Sequence, residues 1–375
     1  MQPANNLYVK IFNKILESGV FPSKWSVGVI IPVYKRNGDR KDCNNYRGIT
    51  LLSCLGKLFT AIINNRLTDY CNTYNIIQEN QAGFRSNYST NDHIFSLKMI
   101  IDLFFSKKLK LYCVFVDYKK AFDMVSRSAM WHKLINSGIS SSSKIYIIIK
   151  SMYQNIKSCV MKNSEKSGFF KCTAGVRQGE NLSPLLFSLF INDIEKYMLD
   201  GGCKHLDFKD TMINNYLKLI LLLYADDTVI FSNTAADLQK SLDILYHYCS
   251  DWKLEVNNEK TKVIIFRKRN GKEENLFTYG KGVLECVNCF KYLGVIFNSR
   301  GTFKDHKLFV KEKAVRAMFA LLSKGKSLNL PIDIILELFD RTILPILSYG
   351  CETWGFENCE ILNTVYTKFC KYCLV

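Results

Sequence analysis

The chain has 375 residues, of which 48% are hydrophobic and 13% aromatic. This composition supports a packed core and excludes a disordered chain. Lys and Arg number 51 against 34 acidic residues, which gives a net charge of +17 that is spread along the chain. The charge favours a basic groove for a polyanion, with nucleic acid first and an anionic membrane surface second, over a single electrostatic anchor.

The 14 cysteines do not indicate a secreted, disulfide-bonded protein. The opening MQPANN has neither a basic region nor an apolar region of a signal peptide. Cysteines such as Cys113 lie inside apolar stretches, where reduced thiols behave as small hydrophobic residues. The pairs Cys286 with Cys289 and Cys370 with Cys373 have no His at zinc-finger spacing, so no zinc site is predicted. No run of 18 apolar residues occurs, and no membrane span is predicted.

The first half of the chain predicts short strands and helices. Val27 to Val33 predicts a strand that ends near Pro32. Apolar positions between Leu55 and Tyr70 recur at helical spacing and predict a helix. Leu111 to Val116 is apolar and β-prone, and it predicts a buried strand. Residues 129 to 153 predict a further helical region.

The second half predicts strands followed by an all-helical end. Ser183 as N-cap and Pro184 as the first helical position predict the start of a helix. Strands are predicted from Val263 to Phe266 and from Tyr292 to Phe297. From about residue 303 the pattern becomes helical.

Two adjacent acids, Asp226 and Asp227, lie between two apolar runs within residues 219–232. Each run suits a buried strand, and a turn between them would hold both acids at a hairpin tip. Neighbouring ionised acids repel each other and lose hydration when partly buried. A bound divalent cation offsets that cost. The alternative is a solvated turn, because turns favour Asp.

A third acid, Asp117, follows the predicted strand from Leu111 to Val116. If that strand pairs beside the hairpin, Asp117 converges with Asp226 and Asp227. Three carboxylates on strand ends form a hard-oxygen site suited to two Mg²⁺ ions. Two such ions can activate an attacking hydroxyl and stabilise a leaving phosphate oxygen. This is the chemistry of nucleotidyl transfer.

Ordered motifs run from about Phe21 to the C-terminus. They are WSVGVIIPVYK (25–35), NYRGITLL (45–52), QAGFR (81–85), VDYKKAFD (116–123), GVRQGENLSPLLF (175–187), YADD (224–227), VNNEKTKVIIF (256–266), FKYLGV (290–295) and YGCETW (349–354). Each motif alone is weak evidence, but their common order argues against coincidence. With these motifs the chain resembles the reverse transcriptase of LINE-type non-LTR retrotransposons.

The resemblance implies an α+β, right-hand polymerase fold. It predicts fingers over residues 1–105 with a partial N-terminus, a catalytic palm with an antiparallel sheet and some finger elements over 106–297, and a helical thumb over 298–375. The implied activity is an RNA-directed DNA polymerase that acts on an RNA template, a DNA primer or nicked genomic DNA, and dNTPs. The implied cofactor is a pair of Mg²⁺ ions, for which Mn²⁺ can substitute. Such substrates imply a location in the cytoplasm and nucleus, with no membrane partner, and the oligomeric state stays open.

The resemblance also assigns roles to the acids of the motifs. Asp117, Asp226 and Asp227 are the implied catalytic metal ligands, and the main-chain carbonyl of Tyr118 is an implied further ligand. Asp123 is interpreted as a structural residue that holds the turn of its motif, with metal ligation as the alternative.

Other residues are implied to bind the nucleotide. Lys35 and Arg47 match basic residues that grip the triphosphate. Phe122 matches a bulky gate that excludes a ribose 2′-hydroxyl. Gln178 and Gly179 match a segment that lies against the nascent base pair.

Three features leave questions open. Lys260 or Lys262 is a candidate for the general acid that protonates pyrophosphate, and a phosphate contact or a solvated charge is the alternative for each. Glu180 stands where the family more often has Ser or Cys, and a carboxylate near nucleic acid is unfavourable. Gly48 replaces a proline that usually follows Arg47, which predicts a looser loop.

Several alternatives compete with an active reverse transcriptase of this type. One is a catalytically inactive, RNA-binding remnant of a decayed element. A group II intron-type reverse transcriptase is another, although the YGCETW run points away from it, and an RNA-templated RNA polymerase is a third. The chain is expected to be a piece of a longer open reading frame, and no endonuclease domain is expected within it.

Overall fold

The computed structural model describes residues 2–36, 38–268 and 276–373. The α-helices are α1 Gln2–Ser18, α2 Cys54–Thr73, α3 Thr90–Ser106, α4 Ala121–Met124, α5 Arg127–Asn136, α6 Lys144–Gln154, α7 Ser183–Ile191, α8 Ile194–Asp200, α9 Thr211–Tyr216, α10 Ala235–Trp252, α11 Lys304–Ser327, α12 Ile332–Thr342, α13 Leu344–Ser348, α14 Cys351–Trp354 and α15 Glu360–Cys373. The strands are β1 Val27–Tyr34, β2 Tyr46–Leu51, β3 Leu111–Val116, β4 Lys157–Lys162, β5 Glu165–Lys166, β6 Phe170–Lys171, β7 Leu221–Tyr224, β8 Asp227–Ser232, β9 Lys262–Phe266, β10 Phe277–Tyr279, β11 Gly282–Cys286, β12 Cys289–Tyr292 and β13 Val295–Asn298.

The chain divides into two compact units, each assembled from separate segments. The first unit comprises Met1–Phe84, Asp117–Gly202 and Ile244–Asn257. The second unit comprises Arg85–Val116, Cys203–Asp243 and Asn258–Val375. The division into fingers, palm and thumb at residues 105 and 297 stays a prediction.

The first unit contains a sheet with the strand order β2-β1-β4-β5, and β6 also pairs with β4. β1 runs antiparallel to β2 and parallel to β4. The strand predicted from Val27 to Val33 is confirmed, although β1 continues past Pro32 to Tyr34. Pairing with β4 covers only Val27 to Ile30, so Pro32 lies beyond it and has a neighbour on the β2 side alone. Proline, which lacks an N–H, is tolerated at such an edge.

The second unit contains a six-stranded sheet with the order β10-β11-β9-β3-β8-β7. Every residue of β3 is buried, and β3 pairs antiparallel with both β8 and β9. Aromatic and aliphatic residues of the sheet and of α3 form one hydrophobic cluster, in which Phe115, Phe231 and Phe266 are almost fully buried. The predicted strands at 111–116 and 263–266 are confirmed.

Two predicted elements differ from those in the structure. The strand predicted from Tyr292 to Phe297 is a hairpin, because Leu293 and Gly294 have positive φ values of 45° and 93° and turn the chain between β12 and β13. Ser183 is the first residue of α7 and not its N-cap, which is Leu182. The predicted helical region after residue 303 is confirmed by α11.

No described helix is both long enough and apolar enough to span a membrane. The cysteines of the described residues are free thiols.

Candidate active site

The two adjacent acids lie at the hairpin that joins β7 to β8. Tyr224 pairs with Asp227, so Ala225 and Asp226 form a two-residue turn. Ala225 has a φ of +56°, the left-handed conformation that tight hairpin turns require. Asp226 is half-buried, and Asp227 is the exposed first residue of β8. The predicted hairpin is confirmed, although only Asp226 of the two acids lies at its tip.

Strand β3 pairs directly with β8, with Val116 opposite Thr228. Asp117 follows Val116 in the chain, and Asp227 precedes Thr228. The predicted pairing of this strand beside the hairpin is therefore confirmed. A slip by one residue would reverse the faces of all the side chains of β3, so its buried neighbours specify this register.

The surroundings of Asp227 within the second unit are aromatic. Tyr292 is only 3% exposed, and its pKa is raised well above the ordinary value by burial and then by the charge of Asp227. The Tyr292 hydroxyl lies 3.4 Å from Nδ1 of buried His93. Burial lowers the pKa of His93 to about 4, although Asp92 opposes the shift. Tyr292 and His93 are therefore both uncharged at neutral pH and bring no positive charge to Asp227.

The YGCETW motif contacts two other elements of the second unit. The Tyr349 hydroxyl donates a hydrogen bond to the carbonyl oxygen of Leu293 at 2.8 Å and lies 2.9 Å from Oγ1 of Thr90. Tyr349 thus joins the turn between β12 and β13 to the start of α3. The sequence contains the YGCETW motif, but it predicted no role for the first residue of that motif, Tyr349. The tyrosine at the start of the motif is the signal that could have indicated a role.

In the first unit, the segment that follows β3 is held by a short bridge. Tyr118 pairs with Val256 in an isolated antiparallel bridge. The carbonyl oxygen of Asp117 accepts a hydrogen bond from Asn257 N–H at 2.7 Å, and Lys119 N–H donates to Glu255 at 2.7 Å. The bridge therefore uses the backbone groups of the two residues that flank Tyr118, and not the Tyr118 carbonyl.

Phe122 lies between two aromatic rings of the first unit. It stacks on Phe187 of α7 with centroids 4.7 Å apart and an interplanar angle of 23°. The ring of Phe84 meets it edge-on, with centroids 6.4 Å apart. Phe84 is 58% exposed and has a φ of +62°, which is unusual for a bulky residue. The sequence predicted no role for Phe84, because the QAGFR motif reveals neither the positive φ of this residue nor its contact with Phe122.

The loop of Gln178 and Gly179 is fixed to β2. The Gln178 carbonyl oxygen accepts a hydrogen bond from Thr50 N–H at 2.8 Å. Gly179 has a φ of +109°, and a Cβ there would lie 2.7 Å from the Thr50 carbonyl oxygen. Only glycine fits at this position, because of the strand backbone. The Gln178 amide nitrogen lies 3.5 Å from both carboxylate oxygens of Asp123.

The pKa of Asp123 is raised by desolvation, which the positive charges of Lys120 and Lys35 oppose. The Asp123 N–H donates to the Lys120 carbonyl oxygen at 2.8 Å. The predicted structural role of Asp123 is compatible with this turn and stays a prediction.

The sequence predicts a carboxylate near nucleic acid at Glu180, but the structure buries this side chain among polar groups of the first unit. It is 8% exposed, and its carboxylate accepts hydrogen bonds from the Thr60 hydroxyl and from Asn181 N–H. Gly48 does not lie in a loosened loop either, because it is paired with Pro32 inside the antiparallel ribbon of β1 and β2. The sequence showed the unusual residues but not their tertiary partners.

Lys35 and Arg47 lie on the same antiparallel ribbon. Arg47 is opposite Val33, and Lys35 N–H extends the pairing by donating to the Asn45 carbonyl oxygen at 2.8 Å. Opposite residues of such a ribbon share a face, and so do residues two apart, which gives Lys35 and Arg47 a common face. Both are exposed, and Nζ of Lys35 donates to the Asn44 carbonyl oxygen at 2.9 Å.

Lys262 and Lys260 lie in the second unit. Lys262 opens β9, and its Nζ is 2.5 Å from Oε2 of Glu285. Lys260 is exposed in the turn before that strand. The ion pair keeps Lys262 near a carboxylate, and the general-acid role of either lysine stays a prediction.

The donor chemistry of the acids suits a hard cation, since carboxylate oxygens are the ligands that Mg²⁺ takes. Among the side chains that the structure describes, no group of three or more His, Cys, Asp or Glu is already arranged to hold a metal ion.

Residues 34–297 match a family model described as reverse transcriptase (RNA-dependent DNA polymerase). The chain belongs to this reverse transcriptase family. The match covers more than half of the chain and includes all the residues for which a site role was predicted from the sequence.

Two relatives are retroelement polymerases from Drosophila melanogaster. The RNA-directed DNA polymerase from mobile element jockey is 26% identical over 369 residues, which cover 95% of this chain and 38% of that protein. The probable RNA-directed DNA polymerase from transposon BS is 29% identical over 363 residues, with the same coverage. The chain therefore spans well under half the length of these relatives. Their similarity confirms the resemblance to LINE-type non-LTR reverse transcriptases.

A solved structure shows the same fold. A telomerase from Candida tropicalis, in complex with a TWJ fragment of telomeric RNA, is similar with a TM-score of 0.50 and 15% identity. The similarity covers 93% of this chain and 65% of that one. It confirms the predicted α+β, right-hand polymerase fold.

Proposed function

We propose that this chain is an RNA-directed DNA polymerase that extends a DNA primer on an RNA template. The observation that supports this most directly is the pairing of β3 with β8, since Asp117 follows β3, Asp226 lies in the turn before β8 and Asp227 is the first residue of β8. Membership of the reverse transcriptase family supports the same activity. The net charge of +17 suits a template and primer whose phosphates attract basic residues.

In this proposal, Asp117, Asp226, Asp227 and the main-chain carbonyl of Tyr118 hold two Mg²⁺ ions, with Mn²⁺ as a substitute. These groups are chemically suited to Mg²⁺, because all of them are hard oxygen ligands. When bound, a pair of ions activates the attacking hydroxyl and stabilises the leaving oxygen.

Lys35 and Arg47 bind the triphosphate of the incoming dNTP. Their common face on the ribbon of β1 and β2 supports this role. The guanidinium of Arg47 offers a planar fork of donors, and the Lys35 ammonium offers a compact charge. Lys260 or Lys262 donates a proton to the leaving pyrophosphate. Lys262 is held beside Glu285.

Phe122 selects deoxynucleotides by excluding the ribose 2′-hydroxyl. Its stacking on the buried ring of Phe187 restrains the ring and supports a steric role. Gln178 and Gly179 lie against the nascent base pair, and the attachment of their backbone to Thr50 keeps that surface in place. Sequence is read by pairing with the template, while the protein contacts backbone and shape.

A primer-extension assay tests this function. The purified chain is given an RNA template, a DNA primer, dNTPs and Mg²⁺. We expect incorporation by the unmodified chain and a loss of about a thousandfold or more with Asp226→Asn, equivalent to about 4 kcal/mol of transition-state stabilisation. Asp340→Asn, which neutralises an exposed acid of α12, is the matched control and is expected to keep full activity.

The assay also separates the competing functions. Incorporation that persists in Asp226→Asn would contradict the assignment of the metal ligands. An unmodified chain that binds RNA but incorporates no nucleotide would instead identify an inactive remnant. Replacement of Phe122 by Ala tests the sugar preference, which should shift toward ribonucleotides.

A further inference from the structure

Glu180 is a buried acid at the end of the loop that carries Gln178 and Gly179. Its carboxylate accepts hydrogen bonds from the hydroxyl of Thr60, a fully buried residue of α2, and from Asn181 N–H at 3.0 Å. Burial raises the pKa of this carboxyl, and the hydrogen bonds oppose the shift. A buried carboxylate is costly unless it is bonded, so these contacts tie the loop to α2.

The neighbouring residues attach the loop at two further points, one in α2 and one at Ser26 just before β1. The side-chain amide of Asn181 donates to the Lys57 carbonyl oxygen of α2 at 3.0 Å. The guanidinium of Arg177 donates to the Ser26 carbonyl oxygen, and its charge lies close enough to lower the pKa of Glu180. Glu180 is thus part of a polar anchor between the loop and α2.

The other side of the loop is attached to β2. The Gln178 carbonyl oxygen is bonded to Thr50 N–H, and Gly179 approaches the Thr50 backbone so closely that no Cβ fits. Gln178 and Gly179 therefore lie between two attachments, one to β2 and one to α2 through Glu180. Loss of either attachment would let these two residues shift.

We infer that Glu180 is a positioning residue for the incoming nucleotide, which it affects through Gln178 and Gly179 without touching it. This inference rests on the proposed polymerase function, since the nucleotide is what the loop contacts there. Small displacements of a binding group reduce rates strongly, by about a hundredfold for a shift near 1 Å. The carboxylate in place of Ser or Cys is therefore a functional feature of this chain.

Steady-state dNTP kinetics with four variants test the inference. Glu180→Ala removes the acceptor of Thr60, and Thr60→Val removes the donor while Glu180 stays. We expect both to raise the KM for dNTP, by about tenfold or more for Glu180→Ala, with a smaller change in kcat. Glu180→Gln keeps an acceptor oxygen on a side chain of the same shape. Its KM for dNTP is therefore expected to stay close to that of the unmodified chain. Glu195→Gln is the matched control, because this partly buried acid of α8 bonds to Asn80 and not to the loop.

A double-mutant cycle with Gln178→Ala distinguishes positioning from a merely structural role. If Glu180 acts through Gln178, adding Glu180→Ala to Gln178→Ala changes the KM by less than twofold. Independent, multiplicative effects, or a melting temperature that falls while the KM stays unchanged in Glu180→Ala, would overturn the inference. These outcomes require an active unmodified chain, whereas an inactive unmodified chain would overturn the polymerase function itself.

Discussion

The two units hold their site residues by different kinds of interaction. In the second unit, the acids of the β7–β8 turn are attached to a sheet whose central strand β3 is buried at every residue. In the first unit, the loop after Lys171 is held by buried polar groups. The acids of the turn are therefore positioned by apolar register, and the loop that carries Gln178 by paired donors and acceptors. Apolar packing tolerates some repacking, whereas a buried polar contact is costly as soon as one partner is lost.

Arg127 illustrates the polar arrangement of the first unit. Its guanidinium donates to four main-chain carbonyl oxygens, those of Tyr153, Cys172, Ala174 and Gly175, at 2.7–3.1 Å. One side chain thus fixes the start of the loop that carries Gln178. Because Arg cannot lose its proton at ordinary pH, this attachment is insensitive to pH.

Lys133 is a second polar anchor of the first unit. It is 3% exposed, its Nζ bonds to the Asp193 carboxylate, and it lies 3.6 Å from the centroid of the Trp252 ring. The Tyr248 hydroxyl donates to the same carboxylate at 2.8 Å. Burial lowers the pKa of Lys133, and Asp193 opposes the shift.

Removal of Phe115 gives the largest expected effect on stability. Its ring is 2% exposed and stacks on Phe290 at 4.5 Å in the core of the second unit. Phe115→Ala leaves a cavity beside β3 and should lower the free energy of unfolding by about 3–5 kcal/mol. Urea denaturation measures the change. Phe115→Leu is the control and should cost less, and a loss below about 1 kcal/mol for Phe115→Ala would contradict the apolar account of this unit.

Removal of one partner of the Lys133 pair gives the next effect. Asp193→Asn leaves a buried ammonium without its carboxylate and should cost about 1.5–3 kcal/mol in the free energy of unfolding. Lys133→Met removes the buried charge and fills similar space, so it should be close to neutral. Thermal and urea unfolding of both variants measure this asymmetry, and equal losses in the two variants would contradict it.

The pair of partly buried Lys262 and exposed Glu285 is the control for that comparison. Glu285 is mostly exposed, and surface ion pairs contribute about 0–1 kcal/mol. Glu285→Gln should therefore leave the unfolding curve almost unchanged. A loss as large as that of Asp193→Asn would show that the second unit also depends on paired charges.

The difference between the units explains which features could be predicted from the sequence. The strand from Leu111 to Val116 and the hairpin of Asp226 and Asp227 were predicted correctly, because uninterrupted apolar runs indicate buried strands. The roles of Asp117, Lys35 and Arg47 came from motif order and stay predictions.

Features that depend on tertiary polar partners were missed. Nothing in the sequence indicated that Glu180 bonds to Thr60, because the two are far apart in the chain. The turn at Leu293 and Gly294 was read as strand, because a leucine with positive φ has no sequence signal. Gly48 was interpreted by comparison with a proline, and its pairing with Pro32 was not foreseen.

We propose that Asp117, Asp226 and Asp227 bind the same metal centre. Fe²⁺ in place of Mg²⁺, with ascorbate and peroxide, generates hydroxyl radicals at the bound metal, and mass spectrometry locates the resulting cuts in the chain. We expect cuts beside residue 117 and beside residues 226–227, both of which disappear in Asp226→Asn. A cut beside residue 117 that persists in Asp226→Asn, or cuts beside only one of the two segments, would contradict it.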